Sequence, residues 1–361
     1  SIGALNGALF ALGKIDTLLD LYENFDVDLY FKFGEKDIER FDLDDIKVTD
    51  LPQLTKMVYQ LLKQGGVDIT PLKSKLEEEV DENELRRSDI NLGLVTLGIP
   101  KIRPLEVFVE EIPQGKVHEY LIASAYLPFF KADERRYIDG WFVDNVPLDL
   151  LLKKGPFEQI YVIRSHSGGL INSDWNREEV VLMTPSRPVG PSYNLNQKKM
   201  KENLLMGYYD MLRVLKGYEG KRFYFKDLPD LKKVLLNEEV LRQFKKRFSK
   251  LEDYDVQRYF YEELLPGLAK SLNLGVKSTY QEIFLELLEA GGYYLDIYPN
   301  RVYDIETYIE ELREALSKKE VEWNLKEKVF SEVAKYTWGW FGDLQSLVLA
   351  FLDLMVSCQG R

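Results

Sequence analysis

The chain begins with a block of small residues followed by an apolar repeat. SIGALNG is rich in residues too small to obstruct close approach, and beyond it Leu9, Leu18, Leu19, Leu21 and Tyr22 recur at roughly helical spacing. This predicts one helix with a serine in its first turn. LPQLTKMVYQLLKQGG predicts a helix closed by Gly65 and Gly66. The heavily charged LKSKLEEEVDENELRRSD, with Leu72, Leu76 and Val80 on one side, predicts an exposed helix or pair of short helices. The period then changes. INLGLVTLGI and RPLEVFVEEI are apolar and rich in β-branched residues on either side of Pro100, which predicts two strands. HEYLIASAYLPFF predicts a short helix stopped at Pro128. RRYIDGWFVDNVPLDLLLKKG reads strand, tight turn, helix, and FEQIYVIR reads as a strand buried on both faces. EVVLMTPS is a further strand, YNLNQKKMKENLLMGYYDMLRVLKG a helix ending at Gly217, and KRFYFK a last strand.

Strands alternating with helices through about residue 225 predict an α/β fold with a mostly parallel sheet flanked by helices. From there on the pattern is helical almost throughout, as in ETYIEELREALSKKEVEW and FSEVAKYTWGWFGDLQSLVLAFLDLMVSC. Pro229 interrupts the pattern in DLPDLKK, so the expected division is a layered core over 1–225 and a helical region over 226–361.

Composition narrows the partners. A chain of 361 residues, 45% apolar and 13% aromatic, can bury a substantial core and is long enough for two domains. Its net charge of -12, with no basic run longer than KK or KKR, argues against a nucleic-acid partner, because phosphate binding needs a concentrated basic surface. The same charge gives no general attraction to anionic lipid, so any membrane contact has to be apolar or local, and transient contact with a membrane surface is the expectation. Cys358 is the single cysteine, so an intrachain disulfide is impossible; with only two histidines, a Cys/His zinc site is excluded as well. The most apolar run, LQSLVLAFL between Asp343 and Asp353, is too short to cross a bilayer. The expected location is cytoplasmic, at most peripheral to a membrane.

Two stretches carry candidate chemistry. A serine at a strand-to-helix elbow needs small residues two positions to either side, because the turn brings backbone against backbone. Ser1-Ile2-Gly3 supplies the second half of that pattern. The helix start would direct its N–H groups and positive dipole end at the serine oxygen, with the Ile2 N–H placed to donate to an oxyanion. The other stretch is DGWFVDNVP. Asp139, at the end of an apolar strand and followed at once by Gly140, is held at a sheet's carboxyl edge, where open α/β folds place their ligands. An Asp-Gly step alone is a common turn signal. Its pairing with Ser1 gives it weight.

SIGALNG, ASAYLP at 123–128 and DGWFVDNVP, in this order, resemble the patatin-like phospholipases, in particular their bacterial branch. The similarity runs on through LGLVTLGI, FEQIYVIR and MGYYDMLRVLKG and so covers roughly 1–225. The resemblance implies a lipid acyl hydrolase of phospholipase A or lysophospholipase type acting on glycerophospholipid or another acyl lipid. It makes Ser1 the nucleophile and Asp139 its base, a dyad that requires no histidine, metal or organic cofactor. Gly3 and Gly140 match supporting glycines, although Trp141 stands where the family often has a second glycine. Asn145 and Pro147 match an N-x-P motif assigned to fixing the Asp loop, while Ser124 and Pro128 match a helix-end motif taken as structural.

The resemblance further implies a Gly-rich oxyanion loop and a first strand upstream of the nucleophile, neither of which is in this sequence. A bound N-terminal polypeptide completing the fold is therefore an expected partner, with the start at Ser1 produced by cleavage, self-cleavage or trimming. Losing one oxyanion donor costs about 10²–10³ in turnover. The alternative reading is accordingly a non-catalytic lipid-binding or interaction protein with an incomplete site. A third is an N-terminal-nucleophile amidase whose base is the Ser1 α-amine. His118 reads as a cap or surface residue, and His166 as a strand-end residue rather than a site residue. Trp338, Trp340 and Phe341 read as core aromatics rather than an interfacial anchor.

Overall fold

The computed structural model describes residues 2–32, 66–98, 103–127, 130–131, 137–139, 146–165, 177–190, 196–247, 255–318 and 344–357. The chain divides into two compact units, Ser1–Leu205 and Met206–Arg361.

The first unit opens with two helices where the apolar repeat predicts one. α1 (Ile2–Ala11) and α2 (Ile15–Glu23) are separated at Gly13, whose φ of 70 lies in the left-handed region. The Lys14 N–H donates to the Leu9 carbonyl and the Gly13 N–H to that of Phe10, both at 2.9 Å, which is a Schellman helix end. Ser88 Oγ donates to the Ala11 carbonyl at 2.7 Å and closes the same end from a distant part of the chain. Asn6 and Tyr22 join the two helices by reciprocal hydrogen bonds of 2.8 and 3.1 Å, and burial raises the Tyr22 phenol above its usual range although Asn6 acts against it.

The charged stretch forms α3 (Thr70–Glu79) and α4 (Glu82–Arg87), but it is anchored rather than exposed. Leu76, Val80 and Leu85 are buried, and so is Glu82. Glu82 Oε1 accepts from Arg86 Nε (2.9 Å), Arg86 Nη2 (2.7 Å) and the Gly115 N–H (2.8 Å), and Oε2 accepts from the Val117 N–H (3.3 Å). Arg86 also donates to the carbonyls of Val109 (2.9 Å), Ile112 (2.8 Å) and Pro113 (3.1 Å). The pair thus ties α4 to the segment 109–117.

β1 (Gly93–Gly98) and β2 (Arg103–Phe108) form where two strands are predicted, as an antiparallel pair with Gly93 opposite Phe108. α5 (Val117–Ser124) follows, ending before Pro128 as expected, and β3 (Tyr137–Asp139) pairs with the other edge of β1, again antiparallel. Helices cover both faces of β1. Leu94 joins a buried cluster with Leu5, Leu9 and Leu121, while Val95 packs with Phe108 and with Leu150 of α6 (Leu148–Leu152). β4 (Ile160–Ile163) and β5 (Val180–Met183) pair in parallel.

Two sequence expectations are corrected. Among the described strands, β2-β1-β3 is antiparallel and only the two-stranded pairs are parallel, so the sheet is not mostly parallel there. β4 is not buried on both faces, because Tyr161 and Ile163 are exposed while Ile160 and Val162 are buried. The α/β character with flanking helices stands.

α7 (Gln197–Lys216) ends at Gly217, φ 70, as predicted, and the unit division falls within this helix, N-terminal of the boundary expected at 225. The second unit then contains β6 (Tyr224–Phe225), α8 (Leu231–Leu235), α9 (Glu238–Arg247), α10 (Val256–Tyr259) and α11 (Leu265–Ser271). It is completed by α12 (Tyr280–Tyr294), β7 (Val302–Tyr303), α13 (Ile305–Lys318) and α14 (Leu344–Ser357). KRFYFK is a strand as read, but β6 pairs with β7 of its own unit, in parallel. Around that pair Phe223, Phe225, Tyr303 and Tyr308 pack ring on ring, with Tyr308 Oη donating to the Leu288 carbonyl at 2.9 Å. Glu289 Oε1 accepts three successive backbone N–H groups, from Lys221 (2.8 Å), Arg222 (2.6 Å) and Phe223 (3.1 Å).

Glycine permits this packing at one position above all. A Cβ on Gly292 would lie 1.9 Å from Tyr308 Oη and 2.8 Å from the Phe223 ring. Gly292→Ala is expected to destabilise the second unit by about 1–3 kcal/mol, the range for overpacking a dense core. Helix propensity pulls the other way by up to about 1 kcal/mol. A urea midpoint equal to or above that of the parent chain would show that the core yields at no cost.

Candidate functional site

The site is built around the start of α1. Its buried face is Ala4, Leu5, Ala8, Leu9 and Ala11, so three of the five side chains pressed against the core are alanine. Gly7 continues that economy: a Cβ there would come within 2.8 Å of Leu92 Cδ1, just before β1. This close approach explains the small residues of SIGALNG. The first residue of α1 is Ile2, half-exposed, with Gly3 exposed beside it. The amide end and positive dipole end of the helix therefore lie next to the position of the candidate nucleophile.

β3 supplies the second part. Its last residue is Asp139, whose backbone is the register partner of Thr96 in the centre of the three-stranded sheet. Pro147 stands at the N-cap of α6, and the Leu151 N–H donates to the Pro147 carbonyl at 3.2 Å. α6 is in turn fixed by Leu150 between Val95 and Phe108. β3 and α6 are thus each fixed to β1.

Of the candidate residues, Ile2, Gly3, the Asp139 backbone and Pro147 are placed as described. Ser1, Gly140, Asn145 and the Asp139 side chain lie outside the described residues, as do Pro128, Trp141, His166, Trp338, Trp340, Phe341 and Cys358. Ser124 is buried, and its hydroxyl donates to the Val95 carbonyl at 2.7 Å, a structural bond. His118 is no part of the site: its Nε2–H donates to the Val80 carbonyl at 2.6 Å and holds the start of α5 against the end of α3.

Sequence reasoning overlooked Thr96. It is fully buried in β1, and its Oγ1 donates to the Ala123 carbonyl at 3.1 Å. A lone threonine among LGLVTLGI is an ordinary strand residue, and no local pattern marks it. The one available signal was its polarity at the centre of an apolar strand, which calls for a partner. Asn6, within SIGALNG, is likewise marked by no local pattern, and its partner Tyr22 is supplied by α2.

Among the described residues, no group of three or more His, Cys, Asp and Glu is arranged to hold a metal ion. No described helix is long and apolar enough to cross a membrane. A search among curated proteins gives no match to the chain. Residues 1–152 match the family model described as patatin-like phospholipase.

Proposed function

Taking the region 1–152 as a member of the patatin-like phospholipases, a family that acts on lipid substrates, we propose that this chain is a serine lipid acyl hydrolase working through a Ser1–Asp139 dyad. The observation that carries the reading is that one matched span contains both residues, together with Gly3, Gly140, Asn145 and Pro147. The geometry of their surroundings supports it, because α1 begins at Ile2 and β3 ends at Asp139, and α5 packs against both elements.

In the proposed reaction Asp139 accepts the Ser1 hydroxyl proton as Oγ attacks the ester carbonyl of a glycerophospholipid or related acyl lipid. The Ile2 N–H donates to the oxyanion of the tetrahedral intermediate, and the dipole of α1 adds to that field. Collapse breaks the bond to the leaving oxygen, which takes the proton from Asp139 and departs as the alcohol, leaving Ser1 acylated and Asp139 ionised. Water, deprotonated by Asp139, then releases the fatty acid and restores the hydroxyl. Pro147 and Asn145 hold the loop after Asp139. Contact with a lipid surface is transient.

Treatment with a fluorophosphonate, followed by peptide mass analysis, tests the reading directly. The expected adduct is on Ser1 and is absent from Ser1→Ala. Unmodified protein under conditions that saturate a known serine hydrolase would favour a lipid-binding role without turnover. Labelling abolished by acetylation of the α-amine would favour the amidase mechanism.

A further inference from the structure

α5 is the element that packs against both α1, which follows Ser1, and β3, which ends at Asp139, as well as against β1. Its last turn is held on β1 by two crossed hydrogen bonds. Ser124 Oγ donates to the Val95 carbonyl at 2.7 Å, and Thr96 Oγ1 donates to the Ala123 carbonyl at 3.1 Å. Each element gives one hydroxyl and one carbonyl, and both side chains are buried, Thr96 at 0% and Ser124 at 2% exposure. Ala123 lies in the C-terminal turn of α5, where carbonyls lack the regular helical partner; its oxygen accepts the Tyr126 N–H at 3.3 Å, and Thr96 adds a bond from outside the helix.

The location of this clasp matters more than its strength. Thr96 is the register partner of Asp139, and Val95 lies one residue past the last pair of the β1–β3 ladder. The hold on α5 is therefore made at the point on β1 that also carries the end of β3. On its other side, α5 packs against α1, which begins beside Ser1.

We propose that Thr96 and Ser124 are positioning residues that set the separation between the start of α1 and the end of β3, and through it the alignment of the nucleophile and its base. The inference rests on the dyad reading of the site. Removing one hydroxyl loosens α5 on β1 while leaving the apolar contacts in place. A shift of about 1 Å between reacting groups costs up to about 10²-fold in rate. Loss of rate is thus expected to exceed what one hydrogen bond contributes to stability.

Thr96→Val keeps the β-branched shape and removes the hydroxyl; Ser124→Ala removes the other and serves if the first variant does not fold. Two quantities are measured in each: the rate of fluorophosphonate labelling at Ser1, and amide exchange over 2–11 and 137–139. The expected result is labelling slowed about 10–100-fold, with faster exchange at 137–139 and near-parental values for Thr96→Ser, which retains the hydroxyl. Parental labelling rates in a folded Thr96→Val or Ser124→Ala chain would overturn the proposal and leave the clasp a stability feature. If the parent chain does not label at all, the dyad reading fails separately. Exchange then decides: unchanged protection at 137–139 overturns the positioning role, and faster exchange keeps it as a property of the fold.

Discussion

Asp139→Asn is expected to lower hydrolysis of a short-chain acyl ester by about 10²–10⁴-fold, the usual contribution of a general base. The amide occupies the same volume as the carboxylate but cannot accept the serine proton. β3 pairs with β1 through backbone groups, with Asp139 opposite Thr96, so the substitution leaves the ladder intact. Steady-state rates over pH distinguish loss of the base from a general defect: with Asp139 as base, the parent activity is expected to depend on an ionised carboxylate and the variant to lose that dependence together with its turnover. Amide exchange over 137–139 should match the parent. Retained hydrolysis in a folded Asp139→Asn chain would remove this residue from the mechanism.

Arg86→Ala carries the largest expected effect on stability. It strips the buried Glu82 carboxylate of its counter-ion and releases the carbonyls of Val109, Ile112 and Pro113 at once. Removing one partner of a buried ion pair costs about 3–5 kcal/mol. The pH dependence has a definite sign. Burial raises the Glu82 carboxyl, but Arg86 and the N–H groups of Gly115 and Val117 outweigh it, so its folded pKa lies below the reference of 4.5. A depressed folded pKa contributes stability that is complete above the unfolded value and is lost as pH falls through the folded one. The gap between parent and Arg86→Ala should therefore be widest near neutrality and shrink below 4.5. Urea unfolding of the first unit, read by amide exchange over 67–124, checks both points. A gap constant with pH would mean that Glu82 is not the group responsible.

Where a local pattern determines structure, the sequence was readable. The strand positions of LGLVTLG and RPLEVF, the stop of α5 before Pro128 and the end of α7 at Gly217 each follow from residues within a few positions. Strand direction was readable as well but was misjudged. Only four residues separate Gly98 from Arg103, too few for the crossover that a parallel pair requires. The break at Gly13 depends in part on Ser88, and the burial of Glu82 on Gly115 and Val117. These partners are remote in sequence, so a run of charges resembled a solvated face. The site follows the same rule. SIGALNG and DGWFVDNVP are contiguous and could be found, whereas the Thr96–Ser124 clasp consists of two unremarkable residues that only the fold brings together.

The pairing of β6 with β7 has a kinetic consequence. Tyr224 meets Val302 and Phe225 meets Tyr303, with one flanking bond from the Asn300 N–H to the Arg222 carbonyl at 2.9 Å. Closing a loop of that span costs about 4 kcal/mol of chain entropy on the logarithmic scale that governs flexible loops, more than two residue pairs return. The strands therefore cannot nucleate the second unit. Docking of α8, which follows β6, on α12, which precedes β7, brings the two segments into reach, and the short ladder is then expected to close late. In this half of the molecule the sheet records an assembly that the helices have already completed.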